Sequence, residues 1–440
     1  MNVAPQAAAA SERSSRRRLG LFDVLCIGVN ATVGSGVFSL PDDLQRSMGG
    51  YSPFAYLLCA ALLLPVALSF AELSGRFDES GGPYVYARAA FGDQTGFLIG
   101  WYCWVNSFVS WAANAVLLVD LLGERASGHH SLPHSNVIAA AIVLAFGAVN
   151  YFGVKPGARL VNLAVVGKIG AILCFLAAAS FAFDPARLGR ALPLGAAGVR
   201  HGVFLALFPL QGFEVTPVPA GETDDPKRNV PLATMGALVF SALLFVAVQA
   251  ALCASYPGLA AESDQPLVDG ALHLGPRIGL VVLVGSFISI GGFTAGSALG
   301  SPRYAEAIAA HGLLPRSLSR VHPRWATPHV AIVVTTVLTA VLVLFFQYGD
   351  LVGMSNVTVV IQYLATCLAV PVLRRKLGMP SGARGWRIPG GALIPLVGAA
   401  GSIVLFWAAD RMEWIFAVAT LGLGVAVAWV TRRAERARAA

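Results

Sequence analysis

Residues 30–38 read NATVGSGVF. They sit inside an apolar stretch, near 22–46, long enough to cross a membrane. In lipid every backbone amide and carbonyl must be satisfied within the protein. Glycine weakens a helix by about 1 kcal/mol relative to alanine. Gly34 and Gly36 around Ser35 in mid-span are therefore either a device that lets another helix approach closely or an opening of the backbone toward a ligand.

The rest of the chain supports the membrane setting. Of its 440 residues 56% are hydrophobic and only 12% charged, whereas soluble domains carry about 25% charged residues. The composition predicts an all-α polytopic membrane protein and argues against a soluble enzyme. Windows of about 20 apolar residues predict twelve transmembrane helices. They lie near 22–46, 52–75, 95–122, 135–153, 159–182, 200–220, 231–255, 278–302, 328–347, 351–373, 392–409 and 412–431. Charges and helix breakers collect between them, at 76–82, 129–134, 184–193, 222–231, 316–328 and 374–389, and no separator is long enough for a soluble domain. Residues 1–18 read as a disordered basic cytoplasmic tail before an uncleaved first helix. Residues 19–440 read as a single transmembrane domain.

Lysine and arginine set the orientation, because positive flanks stay cytoplasmic. With the N-terminus inside, 23 of the 31 basic residues fall in inner segments, seven in outer ones and one, Lys168, within a span. Both termini are expected in the cytoplasm, and the net charge of +8 reads as topology beside anionic lipid headgroups, not as nucleic-acid binding. The six cysteines are scattered through the spans and the eight histidines lie in loops or at span ends. Neither set has metal-ligand spacing, and there is no Walker loop. No cofactor and no metal are expected.

Segment six carries a second interruption. In LFPLQGFEV (207–215), Pro209 and Gly212 fall near mid-span, and Gly212 lies 178 positions, or five segments, after Gly34. Interrupted helices at corresponding places in two halves are the sequence mark of a transporter's central site. Five is odd, so the halves would be inverted: one repeat at about 22–182, another at about 200–373, with two further helices at about 392–431.

Two ionisable residues lie deep. Lys168, in VNLAVVGKIGAILCF, is about ten residues from the cytoplasmic end near Arg159, hence ~15 Å into the bilayer. Its ammonium must pair, reach a water-filled cavity or give up its proton. It is read either as a titrating group or fixed cation standing in for a metal ion, or as a structural charge bonded to helix carbonyls. Glu214 is read as a proton carrier or as a protonated glutamate bonding the broken backbone. Glu72, near the inner interface, is expected to be solvated or salt-bridged. Asn106, Asn114, Gln249, Ser286, Ser289, Thr294, Asn356 and Gln362 read as interhelical hydrogen-bonding residues by default, any of which could touch a substrate.

Four stretches in order resemble the amino acid, polyamine and organocation superfamily. They are GVNATVGSGVFSLPDDL (28–44), SGGPYVYARAAFG (80–92), QGFEVTPVPAGETDDPKRNVPLAT (211–234) and SPRYAEAIAAHGLLPRSLSRVHPRWATPHVAI (301–332). The resemblance implies the fold of the sodium-coupled leucine transporter (LeuT), ten helices in a 5+5 inverted repeat plus two more. It implies that the amides of the Gly34–Ser35–Gly36 break, those of Ser35 and Gly36 in particular, bind a substrate carboxylate. The carbonyls of Thr32, Phe208 and Gln211, at the breaks closed by Gly36 and Gly212, would take the α-ammonium. A zwitterion would complete both, since a helix N-terminus suits an anion and a helix C-terminus a cation. Phe208 matches an aromatic lid. Lys168 resembles a fifth-helix lysine of proton-linked or sodium-independent members, with Asn162 at the matching spacing. The arginine and agmatine exchangers of acid resistance generally lack that lysine. Where lysine-bearing relatives tend to place a hydroxyl on helix eight, the aligned positions are Gly291 and Gly292, with Ser289 and Thr294 as neighbouring substitutes.

The resulting expectation is a secondary active transporter of the inner (plasma) membrane. It would import amino acids by alternating access, driven by proton symport through Lys168 and Glu214. Amino acid or polyamine exchange is the nearest rival. A non-transporting amino acid sensor, the membrane subunit of a larger complex and an intramembrane enzyme rank lower. Neutral substrates are favoured over cationic ones, because Glu214 is the only obvious deep acid besides the interfacial Glu72.

Overall fold

The computed structural model describes residues 19–77, 81–127, 134–153, 158–189, 195–261, 263, 265–378 and 386–439. The expected tail, 1–18, lies outside them. The described residues form sixteen α-helices: α1 Leu21–Thr32, α2 Gly36–Ser39, α3 Pro41–Met48, α4 Pro53–Ser74, α5 Pro83–Phe91, α6 Asp93–Ser127, α7 Ser135–Tyr151, α8 Ala158–Phe181, α9 Ala196–Leu210, α10 Pro226–Ser255, α11 Pro266–Leu274, α12 Pro276–Ala310, α13 His329–Phe345, α14 Tyr348–Leu377, α15 Leu393–Trp407 and α16 Arg411–Ala439. Proline opens α3, α4, α5, α10, α11 and α12, where its missing N–H would be unpaired anyway and its fixed φ suits the first turn.

Among the described residues, eight helical stretches are long and apolar enough to cross a membrane: Leu21–Ser39, Pro53–Ser74, Asp93–Gly123, Asn162–Phe181, Pro226–Ser255, Pro276–Ala310, Tyr348–Leu377 and Arg411–Thr431. Ser135–Tyr151, His329–Phe345 and Leu393–Trp407 are shorter apolar helices. Each coincides with a segment read from hydropathy. The sixth segment differs: its helix, α9, stops at Leu210, and residues up to 222 form only the short 3₁₀ turns Phe213–Val215 and Ala220–Glu222. Gly212 at φ 120°, followed by Pro217 and Pro219, prevents the helix from resuming, since proline supplies no N–H to a ladder.

Helices five segments apart pack as partners. The second segment (α4) lies on the seventh (α10), the third (α6) on the eighth (α12) and the fourth (α7) on the ninth (α13). α14 packs against α6, and α8 against α12. The first segment joins this scheme through its break: α1 packs against α10 and against the turn that follows α9.

At the end of α4, Glu72 is fully buried and fully paired. Arg374 of α14 donates to it from Nε at 2.8 Å and from Nη2 at 2.5 Å, Arg76 Nη2 donates at 3.1 Å, and the amide of Ile388 adds a bond at 3.0 Å. Of the two roles expected for Glu72, the salt-bridged one is what the structure shows.

Candidate functional site

The first break begins where α1 ends. Thr32 Oγ1 folds back onto Gly28 O at 2.8 Å, Val33 N–H bonds Val29 O at 2.8 Å, and Gly34 N–H reaches Thr32 O at 3.0 Å. The ladder then lapses. Among the described residues the N–H groups of Ser35, Gly36 and Val37 make no backbone hydrogen bond, and helix resumes as α2. This cluster of donors is buried, with Ser35 1% exposed. Such a helix start presents amides and a positive dipole end to whatever faces it.

The second break faces the first. α9 ends with Gln211 N–H on Leu207 O at 2.9 Å, and no backbone N–H among the described residues reaches the carbonyls of Phe208, Pro209, Leu210 or Gln211. Glycine is required where the breaks touch. A Cβ on Gly36 would stand 2.6 Å from Pro209 Cγ, and one on Gly212 would stand 2.5 Å from Ala31 C and 2.6 Å from Thr32 N. Of the two roles weighed for this triplet, close packing is visible at Gly36, whose missing Cβ admits Pro209; the Ser35 and Gly36 amides are left without backbone acceptors among the described residues.

Lys168, on α8, is fully buried. Its Nζ donates to Asn30 Oδ1 at 2.9 Å, Asn30 O at 3.2 Å and Val33 O at 2.6 Å. Three acceptors match the three protons of an ammonium. Ser289 Oγ, on α12, lies 3.0 Å from both Val33 O and Gly34 O. Of the two neighbouring substitutes weighed for Gly291 and Gly292, Ser289 is the one bonded to the first break. Thr294 Oγ1 has no hydrogen-bond partner among the described residues. Asn162 does not join Lys168; its Nδ2 donates to Asp23 Oδ1 at 2.8 Å.

Glu214 bonds the broken backbone. Its Oε2 accepts the Gly212 amide at 2.7 Å and the Tyr363 hydroxyl at 2.9 Å, and Phe213 stacks on the Tyr363 ring at 5.4 Å. Gln211 turns toward α14: its Nε2 is 3.4 Å from Asn356 Oδ1, and Ser355 Oγ is 3.2 Å from its Oε1.

Phe208 packs edge-to-face against Tyr348 at 6.1 Å. The Tyr348 hydroxyl is 2.7 Å from Ser39 Oγ and 3.3 Å from Ser35 Oγ, so Tyr348 links Phe208 to the first break. Sequence reading passed over Tyr348, which precedes the apolar window of segment ten and carries no local signal.

A family model described as amino acid permease matches residues 19–424. The branched-chain amino acid permease BcaP of Bacillus subtilis (strain 168) is 27% identical over 417 residues, covering 88% of this chain and 87% of that one. An uncharacterised transporter of Mycobacterium tuberculosis (strain ATCC 25618 / H37Rv) is 31% identical over 429 residues, covering 96% and 93%. The methylthioribose transporter of Bacillus subtilis (strain 168) is 25% identical over 442 residues, covering 97% and 95%.

Proposed function

The chain belongs to the amino acid permease family, and from that premise we propose that it imports amino acids across the plasma membrane by alternating access, coupled to protons. The observation that carries the proposal is the pairing of the two breaks. Free amides of Ser35 and Gly36 face a carboxylate, while carbonyls of Thr32, Phe208 and Gln211 face an ammonium. Thr32 O already receives Gly34 N–H but keeps a second lone pair. A zwitterion satisfies both ends at once, so a backbone that would otherwise cost several kcal/mol is completed by its cargo. The names of the relatives support a small organic solute, and that of BcaP supports an amino acid.

Lys168 supplies the coupling in this proposal. In the closed arrangement it needs all three protons to satisfy Asn30 and Val33. When α1 moves and these acceptors separate, an ammonium in a dry interior is left unpaired and gives up its proton. Glu214 bridges Gly212 and Tyr363 and is assigned the second proton-handling role, at the inner side of the breaks. Packing of segments two, three and four on seven, eight and nine supports the inverted 5+5 repeat and, with the α9 interruption, a total of twelve spans. The excess of basic residues on one side supports cytoplasmic termini.

The test is uptake of a labelled amino acid panel into proteoliposomes with and without an imposed pH gradient. Gradient-driven accumulation is expected. Movement only when the far compartment is preloaded would establish exchange and remove symport. Binding with no movement under either condition would establish a sensor.

A further inference from the structure

One face of α6 is turned toward the breaks. Asn106, Ser110 and Asn114 recur at every fourth position, which places them on one side of a helix. The first two belong to a closed network. Ser355 Oγ lies 2.8 Å from Ser110 Oγ, 2.9 Å from Asn106 Oδ1 and 3.2 Å from Gln211 Oε1, and Thr358 Oγ1 lies 3.1 Å from Asn106 Oδ1.

Asn114 stands apart. Its Nδ2 donates to Ser110 O at 2.8 Å. A carbonyl can only accept, so this bond fixes which way the amide is turned. Oδ1 is consequently the atom presented to the first break, 3.7 Å from where a Cβ on Gly34 would stand. Asn114 is 1% exposed, and its Oδ1 has no donor among the described residues. Phe293 lies on the same side of Gly34, its Cδ2 3.3 Å from that Cβ position. A substrate held by the Ser35 and Gly36 amides would have its Cα within a side chain's length of this oxygen.

The charged groups nearest the breaks are already engaged. The Lys168 ammonium is bonded to Asn30 and Val33, and the Glu214 carboxyl to Gly212 and Tyr363. Among the described residues, what remains unpartnered and buried on α6 is the neutral acceptor Asn114 Oδ1, beside the Phe293 ring, and the donor Trp111 Nε1 one turn earlier.

We propose that the transported amino acid has a short, uncharged side chain with a hydrogen-bond donor, a hydroxyl or a carboxamide, and that Asn114 Oδ1 receives it. This rests on the zwitterion site at the breaks. A branched aliphatic side chain would leave the buried oxygen unpaired, which a site built around an acceptor rejects strongly. A cationic side chain would find an amide where it needs a carboxylate.

Threonine and valine have nearly the same shape and differ in one hydroxyl; asparagine and leucine differ similarly in a carboxamide. Initial uptake of each pair into proteoliposomes reads the proposal directly. The wild-type protein is expected to favour threonine over valine and asparagine over leucine by roughly tenfold or more. Asn114→Leu is expected to collapse both ratios toward unity while valine and leucine uptake persists. A wild-type preference for valine and leucine would overturn the proposal, and this measurement does not depend on the variant folding. Equal loss of all four substrates in a folded Asn114→Leu protein would also overturn it, by assigning Oδ1 to the ammonium that all four share. Uptake of no amino acid by the wild type would instead remove the transport function, and this proposal with it.

Discussion

Replacing Gly212 by Ala tests whether the two breaks form one structure. Gly212 has φ 120° and ψ −25°, a conformation that an L side chain adopts at a cost of about 1–3 kcal/mol. The new Cβ would stand 2.5 Å from Ala31 C and 2.6 Å from both Ala31 O and Thr32 N. Unstrained carbon contacts lie at about 3.5–4.0 Å, so the break in segment six must retreat by ~1 Å. The neighbours are backbone atoms and cannot swing aside, which adds about 1–3 kcal/mol of overpacking. The sum is ~2–6 kcal/mol, and a 1 Å error between groups that act together costs up to ~100-fold in rate. Gly291→Ala is the control, because a Cβ there meets nothing within 4 Å. Initial uptake in proteoliposomes at matched protein density, with the melting midpoint in detergent, separates function from folding. Gly212→Ala is expected to lose ~100-fold in uptake, and Gly291→Ala to transport as the wild type does. Wild-type transport by Gly212→Ala would refute the contact between the breaks as the organising feature of the site.

Further outcomes follow from single side chains. Lys168→Ala removes the donor to Asn30 O, Asn30 Oδ1 and Val33 O and is expected to abolish the response of uptake to an imposed pH gradient; a response equal to the wild type's would return Lys168 to a structural role. Ser289→Ala takes the hydroxyl from Val33 O and Gly34 O, a loss of ~1 kcal/mol expected as a several-fold rise in KM, and an unchanged KM would detach Ser289 from the site. Glu72→Gln leaves Arg374 and Arg76 buried without their carboxylate, so the detergent melting midpoint should drop by the equivalent of about 3–5 kcal/mol; no change would show that the cluster does not stabilise this end of α4.

Hydropathy was enough to locate the helices, because a span must be apolar for about 20 residues whatever it packs against. Glycine and proline located the breaks, since Gly34, Gly36, Pro209 and Gly212 weaken a helix by local chemistry alone. Contacts across the bundle were less legible. Asn114 looks like any interhelical asparagine until Ser110 O fixes its orientation, and Glu72 meets Arg374 from 302 positions away. Ser289 rather than Gly291 faces the break because two residues turn a helix face by about 200°, a rotation that aligning motifs along the chain does not weigh. The helix of segment six was overextended for a similar reason: apolar content continues past Gly212 although the backbone does not.

The amine at the first break is tied to the chain. Lys168 completes the carbonyls of Asn30 and Val33 without being able to diffuse away. Exchanging external sodium for choline is accordingly expected to leave uptake untouched, and the electrical sign of the cycle comes to depend on one nitrogen. If Nζ stays an ammonium throughout, a zwitterion crosses with no net charge and the membrane voltage does no work on it. If Nζ sheds its proton inward, one positive charge enters per substrate, and each 100 mV adds about 2.3 kcal/mol to the drive. An inward current on adding substrate is therefore the outcome expected of symport through Lys168, and its absence in a transporting protein would refute it.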